Sequence, residues 1–469
     1  MELMIPIETS AETKIPLYEQ IYSYLKKEIR TGKIAAGARL PSTRLLADHL
    51  KISRSTTQMA YDQLLSEGYI ESKPCRGYFV LDIRGMAEVK EPYQTPFFTE
   101  KREDQKEKWI DFSPRGIDLD SFPYAAWRKI SRKILVDDKK ELFLSGNHQG
   151  EYALREAIGM YLHTARGVQA NPEQIVLGAG NEYLLMLLLQ ILGKESVVAM
   201  ENPTYTQAYF VLQSMGGKVK PIPMDRHGIC VEELERSDAR IVYVMPSHQH
   251  PMGIVMPVRR RMELLNWAFE KEGRYIIEDD YDSEFRYRGK PIPALQGSDR
   301  KGRVIYMGTF SRSIAPAIRI SYMVLPKELL QVYRERCGFY ASTVPRIDQN
   351  ILYEFLIHGY YERHLNRMRA IYKAKHDIML SGLRPLENQF DILGENAGVH
   401  LLLQSHKKIE EQKMIKKAEE VGVKVYGLSH FLIDPCPKDW HPSLVLGYAS
   451  LTEDEIRRGV ALLCDALKE

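Results

Sequence analysis

The sequence predicts an α/β protein whose body contains a mostly parallel β-sheet with helices on both faces, preceded by a small helical module that ends in a β-hairpin. From Trp109 onward, short apolar runs typical of buried strands alternate with amphipathic helical segments, which favours parallel strands joined by helices. Before residue 83, short helical segments are followed by two alternating segments around a turn. The 469 residues are too many for one compact core and fit two or three domains.

Two boundaries follow from these patterns. Residues 1–82 form the N-terminal module. Residues 83–108 are polar, contain proline and have no periodicity, so they are predicted to be a linker. The body begins at Trp109.

Composition limits the classes of protein that fit. The sequence has no apolar run long enough to cross a membrane, and Met1–Thr9 lacks the pattern of a secretory signal, so we expect a cytoplasmic protein without a membrane partner. The cysteines are scattered, with no CxxC pair, which favours reduced thiols over disulfides and over a zinc site. They are Cys75, Cys230, Cys337, Cys436 and Cys464.

The distribution of charge is more informative than its sum. The whole chain has a net charge of +3, whereas Lys26–Thr57 contains eight basic and two acidic residues. A locally basic surface attracts the phosphate backbone of nucleic acids. The alternative is a solvated helical face, and charge alone does not decide between the two.

The N-terminal module begins with three predicted helices. Apolar residues recur at helical spacing between Ile15 and Thr31. Ser42 is predicted to cap a second helix, whose buried face is Leu45, Leu46 and Leu50. A tight turn at Lys51-Ile52 leads to a third helix that begins at Ser53 and stops at Gly68.

This order is that of a helix-turn-helix followed by a wing. The third helix has Arg54, Ser55, Thr56 and Thr57 at its N-terminal end, which is the end that enters a major groove. Two alternating segments around a turn at Pro74 to Gly77 form a hairpin with Arg76 at its tip. The alternative is a generic helical hairpin with capping serines, but three elements in this order speak against it.

The module resembles the GntR-type winged helix. The matching residues are Gly37, Leu40-Pro41-Ser42, Arg44, Leu46-Ala47, Ser53-Arg54, Thr56, Glu67-Gly68-Tyr69 and Gly77-Tyr78-Phe79-Val80. The resemblance implies double-stranded DNA as a partner, with phosphate or base contacts from Arg44, Ser53, Arg54, Thr56 and Arg76. The complete set predicted to bind DNA is Arg39, Ser42, Arg44, Ser53, Arg54, Ser55, Thr56, Thr57 and Arg76.

Several segments of the body suit a phosphorylated pyridine cofactor. The residues GAGN at 178–181 end a strand and open an apolar helix, and amides at a helix N-terminus bind anions. Tyr205 follows a strand, where its ring could stack on a flat heterocycle, although such a tyrosine is more often packing. Glu278–Asp282 is an acidic cluster after a buried run, and one carboxylate could pair with a ring nitrogen. Hydroxyl groups at Thr309, Ser311 and Ser313 stand near Arg312 and Arg319.

In this order, the segments resemble a fold-type-I aminotransferase, and the whole chain resembles the MocR/GabR family of regulators. The segments PSHQHPMG at 246–253, EDDYDSEF at 278–285 and YMGTFS…PAIRISYMVLP at 306–326 carry this resemblance. It implies a large cofactor-binding domain over 109–330, a small C-terminal α/β domain over 331–469 and pyridoxal 5'-phosphate (PLP) as cofactor. The implied cofactor-binding residues are Ala179, Gly180, Asn181, Tyr205, Asp279, Tyr281, Thr309, Arg312 and Arg319.

The resemblance also assigns roles. It implies stacking by Tyr205, pairing of Asp279 with the ring nitrogen and a contact of Tyr281 with the phenolate oxygen. Phosphate contacts fall to the amides of Ala179 and Gly180 and to Thr309 and Arg319. The roles of His248 and Gln249 are less defined.

One residue departs from the pattern at the reactive position. After the serine of G-T-F-S, the family has a lysine that forms a Schiff base with the cofactor, and this chain has Arg312. A guanidinium stays protonated and cannot serve as an imine-forming amine. Lys301 and Lys327 lie outside the motif. We therefore predict no catalytic residue, no covalent bond to the cofactor and no transamination. Two explanations stay open: a natural pocket that holds PLP, its amine form or an amino-acid adduct non-covalently, and an engineered substitution.

A second departure concerns the effector, which we expect to be a small amino-acid-like molecule. Family members that sense γ-aminobutyrate have arginines where this chain has Gln207 and His430. These side chains bind a carboxylate less well, so γ-aminobutyrate is not favoured unless another residue, such as Arg312, takes the carboxylate.

The sequence therefore predicts a ligand-responsive, DNA-binding transcription regulator. Fold-type-I bodies form their pockets at a dimer interface, so the resemblance implies a homodimer. Two alternatives stay open, an active aminotransferase with an N-terminal extension and a PLP-binding sensor without a DNA target. Arg312 speaks against the first, and the complete winged-helix pattern speaks against the second.

Overall fold

The computed structural model describes residues 5–6, 15–83, 109–136, 140–287, 289, 292–407, 409–435 and 441–468. The chain divides into two compact units, Met1–Asp104 and Gln105–Glu469. Apart from Ile83, the predicted linker lies outside the described residues, as does Cys436. Among the described residues, no helix is long and apolar enough to span a membrane.

The N-terminal unit has the predicted order of elements. These are α1 (Leu17–Arg30), α2 (Thr43–Leu50), α3 (Arg54–Ser66), β1 (Ile70–Lys73) and β2 (Gly77–Val80), with β1 and β2 paired antiparallel. Ser42 and Ser53 cap α2 and α3, and Lys51 ends α2 in the left-handed conformation with φ of 53°. The predicted helix-turn-helix and wing are confirmed.

The buried face of α2 differs from the predicted one. The packed face consists of Thr43, Leu46, Ala47 and the half-buried Leu50. Leu45 is 62% exposed, so the prediction that it is buried was wrong. The face that packs has the spacing i, i+3, i+4, i+7, and a residue at position i+2 points away from it.

The second unit contains eleven helices in its described residues. They are α4 (Tyr124–Val136), α5 (Tyr152–Arg166), α6 (Asn181–Leu192), α7 (Thr206–Ser214), α8 (Val231–Arg236), α9 (Val258–Glu270), α10 (Lys327–Arg336), α11 (Arg346–Ile357), α12 (Tyr360–Leu383), α13 (Glu411–Glu420) and α14 (Glu453–Leu467). Their order among the strands is the predicted alternation.

The strands of this unit form two main sheets. They are β3 (Ile110–Asp111), β4 (Ile175–Gly178), β5 (Val197–Asn202), β6 (Lys218–Asp225), β7 (Gly228–Ile229), β8 (Ile241–Val244), β9 (Tyr275–Asp280), β10 (Val304–Thr309), β11 (Ser321–Val324), β12 (Phe390–Leu393), β13 (His400–Ser405), β14 (Val423–Lys424), β15 (Tyr426–Gly427) and β16 (Ser443–Gly447). The large sheet has the order β4-β11-β10-β9-β8-β5-β6-β7, and the small one β12-β13-β16-β15.

The large sheet is mostly parallel and is covered on both faces. Strands β10, β9, β8, β5 and β6 run parallel, while β11 and β7 pair antiparallel with their neighbours. Residues such as Tyr243 and Ile277 pack with α6, α7 and α10 on one face. Val242 and Ile276 pack with α8 and α9 on the other. Parallel strands that are buried on both faces explain the continuous apolar runs in the sequence.

The packing of the body crosses the implied boundary at 330. Residue 330 lies inside α10, whose Leu329, Leu330 and Tyr333 belong to the core of the large sheet. At the other end, β3 pairs with β14, so the first strand of the body joins the C-terminal part of the chain. The core of the large sheet therefore extends past residue 330, and the division of the body into two domains stays a prediction.

Candidate functional site

The N-terminal end of α3 presents polar side chains at the surface. Ser53 caps the helix by accepting a hydrogen bond from Thr56 N at 3.3 Å, and its hydroxyl also lies 2.8 Å from those of Ser55 and Thr56. Arg54 and Ser55 are exposed in the first turn. Ser42 caps α2 in the same way, accepting from Leu45 N at 3.1 Å. Capping uses an acceptor lone pair, so each hydroxyl can still donate to a phosphate oxygen.

Ion pairs separate the basic residues of this unit into two groups. Lys26 is paired with Glu67 at 2.7 Å, and Lys33 with Glu28 at 3.0 Å. The exposed arginines predicted to bind DNA have no ion pair among the described residues; these are Arg39, Arg44, Arg54 and Arg76. Their charges are therefore available to a phosphate backbone.

The hairpin tip and the strand beside it carry two of these arginines. Arg76 is exposed in the turn, where its amide donates to Lys73 O at 2.9 Å. The backbone of Arg39 forms an isolated antiparallel β-bridge with Phe79 of β2. Its side chain lies next to Gly77, where an added Cβ atom would be 3.5 Å from Arg39 Nε. Arg39 thus lies beside the wing.

Thr57 occupies a different environment from the one we predicted. It is fully buried, and its one hydroxyl proton is shared between Thr43 O at 2.8 Å and Arg54 O at 2.9 Å. A side chain without exposed surface cannot contact DNA. We therefore reassign Thr57 from DNA contact to holding α3 against α2.

The body contains a cavity of about 300 Å³ at the carboxyl ends of its parallel strands, a size in the range of small-molecule sites. Its lining includes most of the predicted cofactor residues, namely Gly180, Asn181, Tyr205, Asp279, Tyr281, Thr309, Arg312 and Arg319. Residues that we did not assign also line it, namely Pro114, Arg115, Glu182, Met245, His250, Ser311, Pro316 and Ser321. Of the predicted set, Ala179 lies next to the cavity without lining it.

Asp279, at the end of β9, is a buried carboxylate without a cationic partner. Asn181 Nδ2 donates to Asp279 Oδ1 at 3.2 Å, and the Tyr243 hydroxyl donates to Oδ2. Burial is the main cause of a pKa that is raised to about 7. A protonated ring nitrogen would supply the positive charge that this site lacks.

The next residue of the cluster belongs to a hydrogen-bonded group. Tyr281 Oη lies 3.0 Å from His248 Nδ1, which is also 2.9 Å from Asp282 Oδ2. Gln249 Nε2 donates to Pro203 O at 3.0 Å, and Met252 N donates to Gln249 Oε1 at 3.0 Å. His248 thus orients Tyr281, and Gln249 holds two loops together.

Gly180 and Arg319 form the end of the cavity that suits an anion. Gly180 has a φ of 97°, a backbone conformation that favours glycine, and a Cβ atom there would meet the Arg319 guanidinium. Arg319 donates to Ala179 O at 3.0 Å and pairs with Glu182 Oε2 at 2.9 Å. The amide of Ala179 donates to Thr343 Oγ1 at 3.0 Å, so one predicted phosphate donor already has a partner.

Arg312 extends along the cavity wall. Its Nη1 donates to Arg115 O at 2.8 Å, and its Nη2 donates to Pro114 O at 3.1 Å. No lysine of the described residues lines the cavity. Lys301 lies at the other end of β10, where its ammonium group stacks on Phe269, and Lys327 begins α10.

The two predicted effector residues do not line this cavity. Gln207 is half-buried in the first turn of α7, two residues after Tyr205. His430 is exposed, with its Nδ1 3.2 Å from Gly427 O. Their segments are nevertheless joined, because Thr204 N donates to Phe431 O at 2.9 Å.

The missed lining residues differ in the signals that could have revealed them. His250 follows strand β8, and a polar residue at the carboxyl end of a parallel strand is such a signal. Glu182 stands in the first turn of α6, beside the predicted anion site. Arg115 has no local signal, because the pairing of β3 with β14 brings its loop to the cavity.

These residues fit a phosphorylated pyridine. Buried polar atoms without a hydrogen-bond partner among the described residues include Asn181 Oδ1, beside Asp279, and Ser311 Oγ, in the loop after β10. Asp279 suits the ring nitrogen, and Thr309, Ser311 and Arg319 suit the phosphate. The side chain at 312 does not fit covalent attachment.

Comparisons with known proteins agree with this architecture. Residues 17–80 match the family described as bacterial regulatory proteins, gntR family, and residues 114–463 match aminotransferase class I and II. The uncharacterised HTH-type transcriptional regulator YdeL of Bacillus subtilis is 41% identical over 97% of both chains. The probable rhizopine catabolism regulatory protein MocR of Rhizobium meliloti is 32% identical over 99% of this chain and 96% of its own.

Solved aminotransferases share the body. Kynurenine aminotransferase of Pyrococcus horikoshii, in complex with PMP, has a TM-score of 0.69 and 26% identity over 78% of this chain and 93% of its own. LysN of Thermus thermophilus, an α-aminoadipate aminotransferase complexed with N-(5'-phosphopyridoxyl)-L-leucine, has a TM-score of 0.67 and 25% identity over 77% and 92%.

The fold and the site thus define a transcription regulator with a GntR-type winged helix and an aminotransferase-type body. The chain belongs to the MocR family of HTH-type transcriptional regulators.

Proposed function

We propose that this regulator binds a PLP-type ligand non-covalently, or as an amino-acid adduct, and that the ligand changes its affinity for double-stranded DNA. The observation that carries the non-covalent mode is Arg312. Its guanidinium takes the place of an attaching lysine and donates to two backbone carbonyl groups of the 114–115 loop. Since no described lysine lines the cavity, the described part of the chain offers no amine for a covalent bond there.

The cavity residues then bind and orient the ligand. Asp279 balances the charge of the ring nitrogen, Tyr205 packs on the ring and Tyr281 contacts its phenolate oxygen. Thr309, Arg319 and the amides of Ala179 and Gly180 hold the phosphate, once it displaces Glu182 from Arg319, Thr343 Oγ1 from the Ala179 amide and Gly178 O from the Gly180 amide. When bound, such a ring is an electron sink, but no residue of the lining takes the place of the proton-shuttling lysine, so we expect no transamination.

The effector is an amino-acid-like molecule. Gln207 and His430 lie on segments joined by the Thr204–Phe431 hydrogen bond, and we assign them to its outer end. Binding would shift the population between two conformations of the body and so alter DNA affinity. We further infer a homodimer that reads paired half-sites, with DNA contacts from Arg39, Ser42, Arg44, Ser53, Arg54, Ser55, Thr56 and Arg76.

The first experiment tests the mode of ligand binding. Purified protein is mixed with PLP, reduced with borohydride and analysed by intact mass, with Arg312→Lys as the matched positive control. We expect the wild type to retain PLP on native desalting and to carry no reduced adduct after denaturation, whereas the variant carries one. A wild-type lysine reduced onto the cofactor, together with turnover of amino donors, would show an active aminotransferase instead.

The second experiment tests DNA binding. A gel shift uses the DNA upstream of the protein's own gene, with and without PLP and the amine form of the cofactor. We expect a sequence-specific shift that weakens as salt increases and that changes with ligand. Absence of any specific shift would reject the regulator function, and light scattering of the free protein tests the homodimer.

A further inference from the structure

Two arginines of the cavity, Arg115 and Arg312, have no carboxylate partner among the residues that the structure describes. Arg115 is exposed, and its side chain has no hydrogen bond or ion pair within the described part of the chain. Arg312 is half-buried and donates only to the uncharged carbonyl groups of Pro114 and Arg115. Both residues line the same cavity.

The other charged groups of the lining already have partners. Arg319 is paired with Glu182, and the carboxyl group of Asp279 accepts from Asn181 and Tyr243. Asp279, with a pKa raised to about 7, carries only part of a negative charge at neutral pH. The lining therefore has an excess of positive charge, and the excess lies at Arg115 and Arg312.

The two arginines affect the pKa values of neighbouring side chains, which indicates the part of the cavity where the excess charge lies. Burial is the main cause of a raised pKa at Tyr205, and the positive charges of Arg115 and Arg312 oppose it. Burial also lowers the pKa of His250 well below its usual value, and both arginines act in the same direction. Both guanidiniums therefore act on the side chains at the Tyr205 side of the cavity.

The loop that carries Arg115 is held by backbone contacts. Phe112 O accepts from Gly447 N at 2.8 Å, and Gly116 N donates to Ser113 O at 3.2 Å. The two hydrogen bonds from Arg312 hold the same loop from the cavity side. Arg312 thus positions Arg115 and retains further N–H groups for a ligand, because a guanidinium has five.

We propose that Arg115 and Arg312 form the site for the carboxylate of an amino-acid ligand joined to a pyridoxyl group. This inference rests on the proposed function, since it assigns one subsite of the same cavity. Planar guanidiniums bind a carboxylate through paired N–H groups, and such charge-assisted hydrogen bonds are stronger in a partly dry site. The substitution at position 312 thereby adds a binding group where the family has a reactive amine.

The test compares two ligands that differ only in the carboxylate. Calorimetry with the full-length protein measures the Kd of N-(5'-phosphopyridoxyl)-L-alanine, of N-(5'-phosphopyridoxyl)ethylamine and of the amine form of the cofactor. We expect the wild type to bind the alanine compound at least about tenfold more tightly than the ethylamine compound. In Arg115→Gln this ratio falls below about threefold, because the alanine compound loses more affinity than the ethylamine compound and the amine form do.

Further variants keep the result interpretable. Arg115→Lys retains the charge without the planar fork and should give an intermediate ratio, and Arg312→Gln should lose the preference as well. Arg334→Gln is the control, because this exposed arginine pairs with Glu173 and does not line the cavity. Circular dichroism checks the fold of each variant.

The outcomes separate this inference from the function on which it rests. If the wild type binds none of the three ligands, the proposed function fails. If it binds the amine form but shows no preference for the carboxylate, or keeps the preference in both Arg115→Gln and Arg312→Gln, the subsite is overturned and the proposed function stands.

Discussion

At the scale of single residues, the charge state of Asp279 depends on what fills the cavity. Its carboxyl group is buried at the end of β9, with hydrogen-bond donors on both oxygens but no cation. Burial without a counter-charge favours the protonated form. The same residue would be ionised beside a protonated pyridine, so ligand binding and its ionisation are coupled.

The stability of the ligand-free protein should depend on pH through the ionisation of Asp279. In the folded state the pKa is raised from 3.8 to about 7. Between these values the folded state binds more protons than the unfolded state, so the free energy of unfolding falls as pH rises through this window and then levels. Asp279→Asn removes this contribution. The melting temperature of the variant minus that of the wild type should therefore increase by roughly 1–3 °C as the pH rises from about 4.5 to about 8.

Differential scanning calorimetry over this pH range measures the effect. Asp465→Asn, which changes an exposed carboxylate, is the control. Parallel profiles for wild type and Asp279→Asn would contradict the assignment of a raised pKa.

A second residue-scale prediction concerns Glu182. Its carboxylate occupies the partner position of Arg319, in an exposed ion pair of the kind that contributes about 0–1 kcal/mol. A phosphate must replace this carboxylate and is repelled by it. We expect Glu182→Gln to tighten the binding of the amine form of the cofactor by about three- to tenfold in calorimetry at constant ionic strength.

Glu173→Gln is the matched control, since Glu173 pairs with Arg334 away from the cavity lining. Equal or weaker binding by Glu182→Gln would show that this carboxylate does not compete with the phosphate.

At the scale of elements, α3 carries both residues that stabilise the fold and residues that face solvent. Thr57 is buried against α2, whereas Arg54 is exposed in the first turn of the same helix. We expect Thr57→Val to lower the stability of the N-terminal unit by about 1–2 kcal/mol, because the hydrogen bond that its hydroxyl shares between two carbonyl groups is lost. Arg54→Ala should instead leave stability unchanged and weaken DNA binding about tenfold.

Urea unfolding followed by tyrosine fluorescence, together with gel shifts, distinguishes the two effects. If Thr57→Val weakened DNA binding while its unfolding midpoint stayed that of the wild type, the reassignment of Thr57 would be wrong.

At the scale of the whole molecule, each unit has its own hydrophobic core. Ile21, Leu25, Tyr61 and Leu64 form the centre of the N-terminal one, and the sheet faces form those of the body. We therefore expect two calorimetric transitions. The ligand, at one hundred times its Kd, should stabilise the body by about 2.7 kcal/mol and raise only its transition. A single transition, or equal shifts of both, would show that the two units unfold together.

The sequence predicted most of the local structure correctly. Capping serines, the turn at Lys51 and the hairpin around Pro74 act within a few residues, so their patterns predicted α2, α3 and the wing. Leu45 shows the limit of such patterns, since a short helix offers more than one face that contains leucine. The interface with α3 selects the face with Thr43 and Ala47, and this choice is not local.

The sequence predicted only part of the cofactor cavity, because local patterns place only some of its residues. Residues at strand ends, such as Asp279 and Thr309, could be placed because parallel strands bring their carboxyl ends to one edge. Arg115 could not, because it reaches the cavity through a strand pairing with residues about 310 positions later in the chain. The implied boundary at 330 does not coincide with the end of a core, because the buried leucines of α10 continue the core of the large sheet.

The sequence by itself determined the order of the modules, the strand-end positions of the candidate site and the replacement of the reactive lysine by Arg312. These features depend on residue identity and local spacing. Only the tertiary structure decided which charges are free. Glu182 pairs with Arg319 and Glu67 pairs with Lys26, whereas Arg115 and Arg312 line one cavity and have no carboxylate partner among the described residues. Ion pairing and burial depend on distances between residues that are far apart in the chain, and folding alone sets those distances.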